Sequence, residues 1–346
     1  MTRRAIQFMT EAKSDNRPWC LHLSFIKPHW PYIVPAPYHD IYCAKDVVPV
    51  IRSDAERQNA HPLFAAFQEE RFSKAFSKDD VRSHVIPAYM GLIKQIDDQL
   101  GILFRFMEDE GLMQDTMIVF TSDHGDYLGN HWLGEKYLFH DMSVEVSLIV
   151  RDPSPEADGT RGTTNVALVE MIDLAPTFLD YFGGTAKPYV LEGRSFLPLL
   201  QGKQPAWRSH AISEYDYAFD LARFKLKVPV VEARLYMVTD GRWKFIFADG
   251  FAPMLFDLEN DPHEFQDLGM SGDHAAIRCT LYEALAKWSR ITRTQTTVSD
   301  AEVMRSDESA LNYDLNVSPG ILIGYWDEVE LNAERLKRDN YLKRKP

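Results

Sequence analysis

The sequence predicts an α/β fold: a largely parallel sheet flanked by helices, followed by a smaller α+β domain with an antiparallel sheet. Short apolar runs at 19–26, 116–121 and 144–150 alternate with helical periodicity at 85–110 and 168–182. Beyond Pro198 the texture changes, with closely spaced strand-like runs and one further helix. A chain of 346 residues has room for one large domain and a smaller one. The divisions expected are 1–204 for the α/β part, 205–295 for the small domain and 296–346 for a C-terminal extension.

The chain opens on a helix, with Ala5, Ile6, Phe8, Met9 and Ala12 near helical spacing. Residues 19–26 fit a short buried strand that stops at Lys27-Pro28-His29-Trp30-Pro31, where two prolines end regular pairing. Residues 34–84 read as a long irregular, polar excursion of a kind that covers a site. In the 85–110 helix, Tyr89, Leu92, Ile93, Ile96, Leu100, Leu103, Phe104 and Met107 recur at three- and four-residue steps, and Gly111 supplies the stop. The helix at 168–182 carries Leu168, Met171, Ile172, Leu174, Ala175, Phe178 and Leu179 and ends at Gly183-Gly184.

In the second half, strands are expected at 210–217, 232–239 and 242–248, the last two joined around Asp240-Gly241. Met254–Leu258 is a further strand candidate, and a helix is expected at 274–291. Trp243, Phe245 and Phe247 alternate at period two, as one core-facing side of a strand does. The tail from Thr292 is polar, with one apolar island at 320–326 and a basic end.

Composition narrows the function. There are 51 acidic and 38 basic residues, a net charge of −13. That balance argues against a nucleic-acid protein, whose affinity comes from neutralising phosphates, but allows a small anionic substrate at a locally basic site. No stretch of eighteen consecutive apolar residues is present, so no membrane span is expected. Met1–Gln7 has no apolar core of signal-peptide length. Cys20, Cys43 and Cys279 form no paired spacing and are expected as reduced, partly core thiols, which points to a cytoplasmic location.

The chemistry concentrates behind the 116–121 strand. Ligands in open α/β sheets gather at the carboxyl ends of strands. There the chain reads Ser122-Asp123-His124-Gly125-Asp126, a carboxylate beside an imidazole, which suits a divalent-metal corner. A loop rich in glycine, histidine and aromatics follows to Gly134-Glu135-Lys136, and Lys136 offers an ammonium for an oxyanion. His131 lies in this loop without an assigned role. His61, His84, His210, His263 and His274 are scattered and read as ordinary surface or core histidines.

Together these stretches resemble the C-terminal metal and anion motif of type I sulfatases, in the alkaline-phosphatase-like superfamily. The resemblance rests on Thr121–Asp126, Leu128–His131 and Gly134–Lys136, on the preceding helix from Tyr89 to Gly101, and on Phe25–Tyr32, which is similar to the family's histidine loop. Leu148–Pro153, Ile172–Thr177 and Leu255–Pro262 look most like the phosphonate monoester hydrolase branch. The likeness runs from Met1 to about residue 270.

It implies an alkaline-phosphatase-like, mostly parallel sheet, incomplete at its N-terminal side. It implies one divalent metal (Mn2+ or Ca2+), with Asp123 and His124 as ligands. His29 and Lys136 would bind the sulfate or phosphonate, or protonate the leaving oxygen. The substrate would be a small anionic ester, hydrolysed by a metal-dependent route with covalent catalysis.

The family's nucleophile is a formylglycine made from cysteine in a Cys-x-Pro/Ala-x-Arg motif. The neighbours Cys20-Leu21-His22, Cys43-Ala44-Lys45 and Cys279-Thr280-Leu281 do not match it. The family's N-terminal aspartate ligands also have no counterpart before His29. The chain alone is therefore expected to be inactive, with the enzyme completed by a segment outside it. The alternative is a non-catalytic remnant or interaction protein that keeps the scaffold. Phosphodiesterases, phosphatases and mutases of the same superfamily use a serine or threonine nucleophile and a second metal set, which is not seen here. By the same resemblance the C-terminal extension packs against a neighbouring subunit, giving a homo-oligomer.

Overall fold

The computed structural model describes residues 1–292 and Leu336. Helix α1 (Thr2–Ser14) lies against the 31-residue α5 (Asp79–Asp109), with Ala5 and Met9 buried among Leu103, Met107 and Leu112. Lys13 ties the two ends, its Nζ donating to the Glu110 carbonyl at 2.7 Å and carboxylate at 2.8 Å. The long helix starts six residues before the periodicity predicts, because Asp79 and Asp80 favour a first helical turn. It stops at Gly111, whose φ of +70° suits a residue without Cβ.

Residues 19–26 run extended but lie in neither sheet. Trp19, Leu21 and Leu23 pack on the α1–α5 core while the alternate side chains are exposed, so one face is partly buried where a buried strand was expected. The excursion at 34–84 is more ordered than its composition suggests. It holds three short helices, α2 (Asp54–Gln58), α3 (Pro62–Gln68) and α4 (Arg71–Phe76). Ser53 and Glu56 form a reciprocal cap on α2, and Pro62 takes the first position of α3, where its missing N–H costs nothing. Leu63, Ala66, Phe67 and Phe76 from these helices are buried.

Strand β1 (Ile118–Thr121) pairs antiparallel with β2 (Leu148–Arg151), with Phe120 opposite Ile149. No parallel ladder occurs among the described residues. Residues before β2 form a turn of helix, α6 (Asp141–Val144), so the strand begins later than its apolar run. The 168–182 helix is confined to α7 (Leu174–Tyr181), entered through a 3-10 turn at Met171–Asp173. Pro176 explains this: it fits in a first turn but would break the interior of a helix starting at 168. Buried Asp173 fastens the entry, accepting from the Glu170 and Arg194 amides and pairing with Arg208.

After α8 (Leu197–Leu200) comes a four-stranded antiparallel sheet: β3 (Ala211–Asp216), β4 (Arg234–Thr239), β5 (Trp243–Ala248) and β6 (Met254–Asp257), in that order. The short helix α9 (Leu221–Leu226) interrupts β3 and β4, and α10 (Ala275–Thr292) covers one face. These strands and α10 follow the sequence expectation closely. Phe245, with Trp243 and Phe247 beside it, packs against Leu281 and Leu285 of α10.

The opposite face shares a core with the first half of the chain. Leu63 and Phe67, Tyr127, Leu133, Leu138 and Phe139, and Leu235, Met237, Ile246 and Met254 form one buried cluster. The loop after β1 is therefore wedged between the excursion helices and the small sheet. All three cysteines are exposed, none of them in the core as expected. No helix among the described residues is long and apolar enough to cross a membrane. The extension at 296–346 lies outside the described residues, apart from Leu336.

Candidate active site

Two loops meet at the end of β1. One is 27–32, stiffened by Pro28 and Pro31; the other runs from Ser122 to Lys136. His29 Nδ1 donates to the Trp30 carbonyl at 2.8 Å. That leaves Nε2 as an acceptor, and Lys136 Nζ donates to it at 3.2 Å across 107 residues of sequence. The His124 ring lies beside His29, with centroids 6.1 Å apart. The structure thus brings all four expected residues into one neighbourhood.

Gly125 allows the sharp turn after His124. A Cβ there would collide with the Met142 carbonyl, while the Gly125 amide donates to Ser143 O at 2.8 Å. His124 Nδ1 donates to the Gly125 carbonyl at 2.7 Å, so its Nε2 carries a lone pair. Nε2 faces Asp123 Oδ2 at 3.5 Å. Two lone-pair donors facing each other at that distance suit a cation, because ligands about 2.0–2.6 Å from one ion stand about this far apart. The Asp123 side chain is 87 % exposed and His124 28 %. Among the described residues no group of three or more His, Cys, Asp or Glu side chains is placed to hold a metal, so this corner offers two ligands.

The loop is held in a strained shape. Leu128, His131, Trp132 and Glu135 all have positive φ, each costing on the order of 1 kcal/mol. The excursion supplies the restraint. Glu56, which also caps α2, accepts from His131 Nδ1 at 2.6 Å. Trp132 Nε1 donates to the Ser53 carbonyl at 2.8 Å, with Arg52 and Arg57 over its ring at 4.0 and 4.8 Å. His131 stacks on His140 at 4.0 Å, and Tyr127 bonds His140 Nδ1 at 2.8 Å. Burial pushes the His140 imidazole well below its ordinary value, so it stays neutral. His131 is thus a buried anchor of the loop, a role its sequence position did not disclose.

Two further carboxylates lie close to the pair. Asp126 accepts from the Tyr32 hydroxyl at 2.9 Å and the Leu128 amide at 3.1 Å, and burial pushes its carboxyl up to about 6. Glu135 is buried, with Oε2 3.8 Å from Lys136 Nζ and Oε1 unpartnered among the described residues. Sequence reasoning assigned neither a role. Nothing local marks Tyr32 and Asp126, 94 residues apart, as a pair.

The sulfatase family model matches residues 1–184, and the model for the C-terminal region of N-sulphoglucosamine sulphohydrolase matches 129–290. The chain is 32% identical over 294 residues to the multifunctional alkaline phosphatase superfamily protein PehA of Trinickia caryophylli, covering 80% of this chain and 56% of that one. It is 27% identical over 268 residues to an arylsulfatase of Clostridium perfringens, covering 78% of this chain and 52% of the relative. The crystal structure of the phosphonate monoester hydrolase of Agrobacterium radiobacter superposes with a TM-score of 0.73 at 29% identity, over 83% of this chain and 59% of that one. The chain spans about half the length of the curated relatives it matches.

Proposed function

The chain belongs to the sulfatase family and has its alkaline-phosphatase-like α/β fold, and on that premise we propose that its two loops are the metal and anion side of an ester hydrolase. The complete protein hydrolyses sulfate esters or phosphonate and phosphate esters. Asp123 and His124 hold one divalent ion, with Mn2+ or Ca2+ as the candidates. When bound, that ion supplies Lewis-acid charge to the ester oxygens.

This chain's own residues bind and orient. The Lys136 ammonium receives one oxygen of the tetrahedral group. His29, fixed by its bond to Trp30, presents Nε2 to the same group and, in its imidazolium form, carries a proton there for the leaving oxygen. No cysteine in the sequence has the Cys-x-Pro/Ala-x-Arg motif, so the nucleophile is proposed to come from outside this chain. The observation that carries the reading is the meeting of His29 and Lys136 beside Asp123 and His124.

The test is hydrolysis of an aryl sulfate and an aryl phosphonate monoester by the complete protein, before and after chelation. Activity is expected to fall on chelation and in Asp123→Ala. Full activity in Asp123→Ala defeats the metal assignment.

A second reading, a scaffold without catalysis, is favoured by the two-ligand corner. A complete protein that binds neither metal nor oxyanion would select it. The three-part division at 204/205 and 295/296, a cytoplasmic site of action and a homo-oligomer formed through 296–346 belong to the same proposal. Deleting 296–346 and finding no change in solution mass would remove the oligomer.

A further inference from the structure

We propose that Tyr32 and Asp126 are positioning residues that hold His29 in reach of Lys136. The inference deepens the functional reading above and rests on it only for the ligand, an oxyanion. His29 and Tyr32 share a short segment in which Pro31 fixes one backbone angle, so a displacement at Tyr32 reaches His29. Asp126 and Lys136 are joined across their loop, where the Tyr127 amide donates to the Glu135 carbonyl at 2.9 Å. Two side-chain hydrogen bonds between these segments close the circuit: Tyr32 to Asp126 at 2.9 Å and Lys136 to His29 at 3.2 Å.

The two links are unequal. The Lys136 side chain is 35 % exposed, so water competes for its contact. The Tyr32–Asp126 bond is part-buried, and its surroundings are shielded enough that burial pushes both the Tyr32 hydroxyl and the Asp126 carboxyl up. The Tyr32 ring is held by Phe76 and Tyr89, with centroids 5.9 and 6.1 Å away. Its hydroxyl is thereby aimed at Asp126. The sheltered bond sets the spacing, and the exposed pair is left free to open around an anion.

The experiment uses the full 346-residue chain. The 15N chemical shift of His29 Nε2 is read at fixed pH, and inorganic sulfate binding is measured by calorimetry. Tyr32→Phe removes one oxygen and keeps the ring. It is expected to move the His29 signal and weaken sulfate binding roughly five- to tenfold, the worth of one hydrogen bond. Asp126→Asn keeps an acceptor for Tyr32 and is expected to retain the native signal. Asp126→Ala is expected to reproduce Tyr32→Phe, which keeps the test alive if Tyr32→Phe does not fold. An unchanged His29 signal in both Tyr32→Phe and Asp126→Ala overturns the proposal. A moved signal in a chain that binds no sulfate supports the positioning role and counts against the functional reading instead.

Discussion

Lys136 Nζ stands 3.2 Å from His29 Nε2, and the His29 ring can accept there because its Nδ1 proton is engaged by the Trp30 carbonyl. An ammonium donor and an imidazole acceptor nitrogen meet where an anion would insert between them. In the complete protein, Lys136→Ala and His29→Ala are each expected to lower kcat by about 10²-fold or more, the usual worth of an oxyanion donor or general acid. Metal content, measured by elemental analysis, should stay at the wild-type level. A parallel loss of metal would move these residues from substrate to metal binding.

Asp123 and His124 make the opposite prediction. Removing a group that hydrogen-bonds and orients a metal ligand typically costs about 10–100-fold in metal affinity, so removing a ligand itself should cost at least about 100-fold. Asp123→Ala is expected to show that loss in a Mn2+ titration, with the fold intact by circular dichroism because the side chain is largely exposed. Unchanged Mn2+ affinity would place the ion elsewhere.

Phe67 joins three parts of the molecule. It is fully buried, stacks on Tyr137 at 5.6 Å and meets Tyr217 edge-on at 6.1 Å. Phe67→Ala should destabilise the chain by about 3–5 kcal/mol, through lost burial plus the cavity left behind. Urea unfolding reads this directly, and a change under about 1 kcal/mol would mean that the excursion helices are not part of the cooperative core.

Asp257 gives a pH signature far from the site. Arg242 donates to its two oxygens at 3.1 and 3.0 Å and holds its carboxyl down at about 2, with Asn260 adding a bond at 2.8 Å. The folded state thus binds fewer protons than the unfolded chain between about pH 4 and 2. The pair's contribution is complete above that window and is lost as pH falls through it. The stability gap between wild type and Arg242→Ala, measured in urea, should be present at pH 7 and close towards pH 2. An equal gap at both ends would assign the effect of Arg242 to packing on Trp243 rather than to charge.

Much of the architecture is legible along the chain. The three- and four-residue recurrence in α1, α5 and α10 and the short spacing of β3 to β6 are local patterns, and local backbone geometry converts them directly into elements. Where the reading missed, another local rule or a distant contact prevailed. Pro176 moved the start of α7, and the first-turn carboxylates of α5 moved its beginning. The excursion looked irregular because prolines and charged clusters interrupt its apolar residues, yet Leu63 and Phe67 are buried by strands more than a hundred residues away.

The sequence by itself determined which groups are present and in what order: an Asp-His pair behind a strand, a lysine at the end of the following loop and a histidine in an earlier proline-bound turn. Tertiary structure alone decided that His29 meets Lys136, that Tyr32 meets Asp126, and that Glu56 holds His131. The reason is range. Periodicity and capping act over a few residues, whereas these contacts join positions 75 to 107 residues apart. Such pairs exist only once a shared core has set the loops against one another.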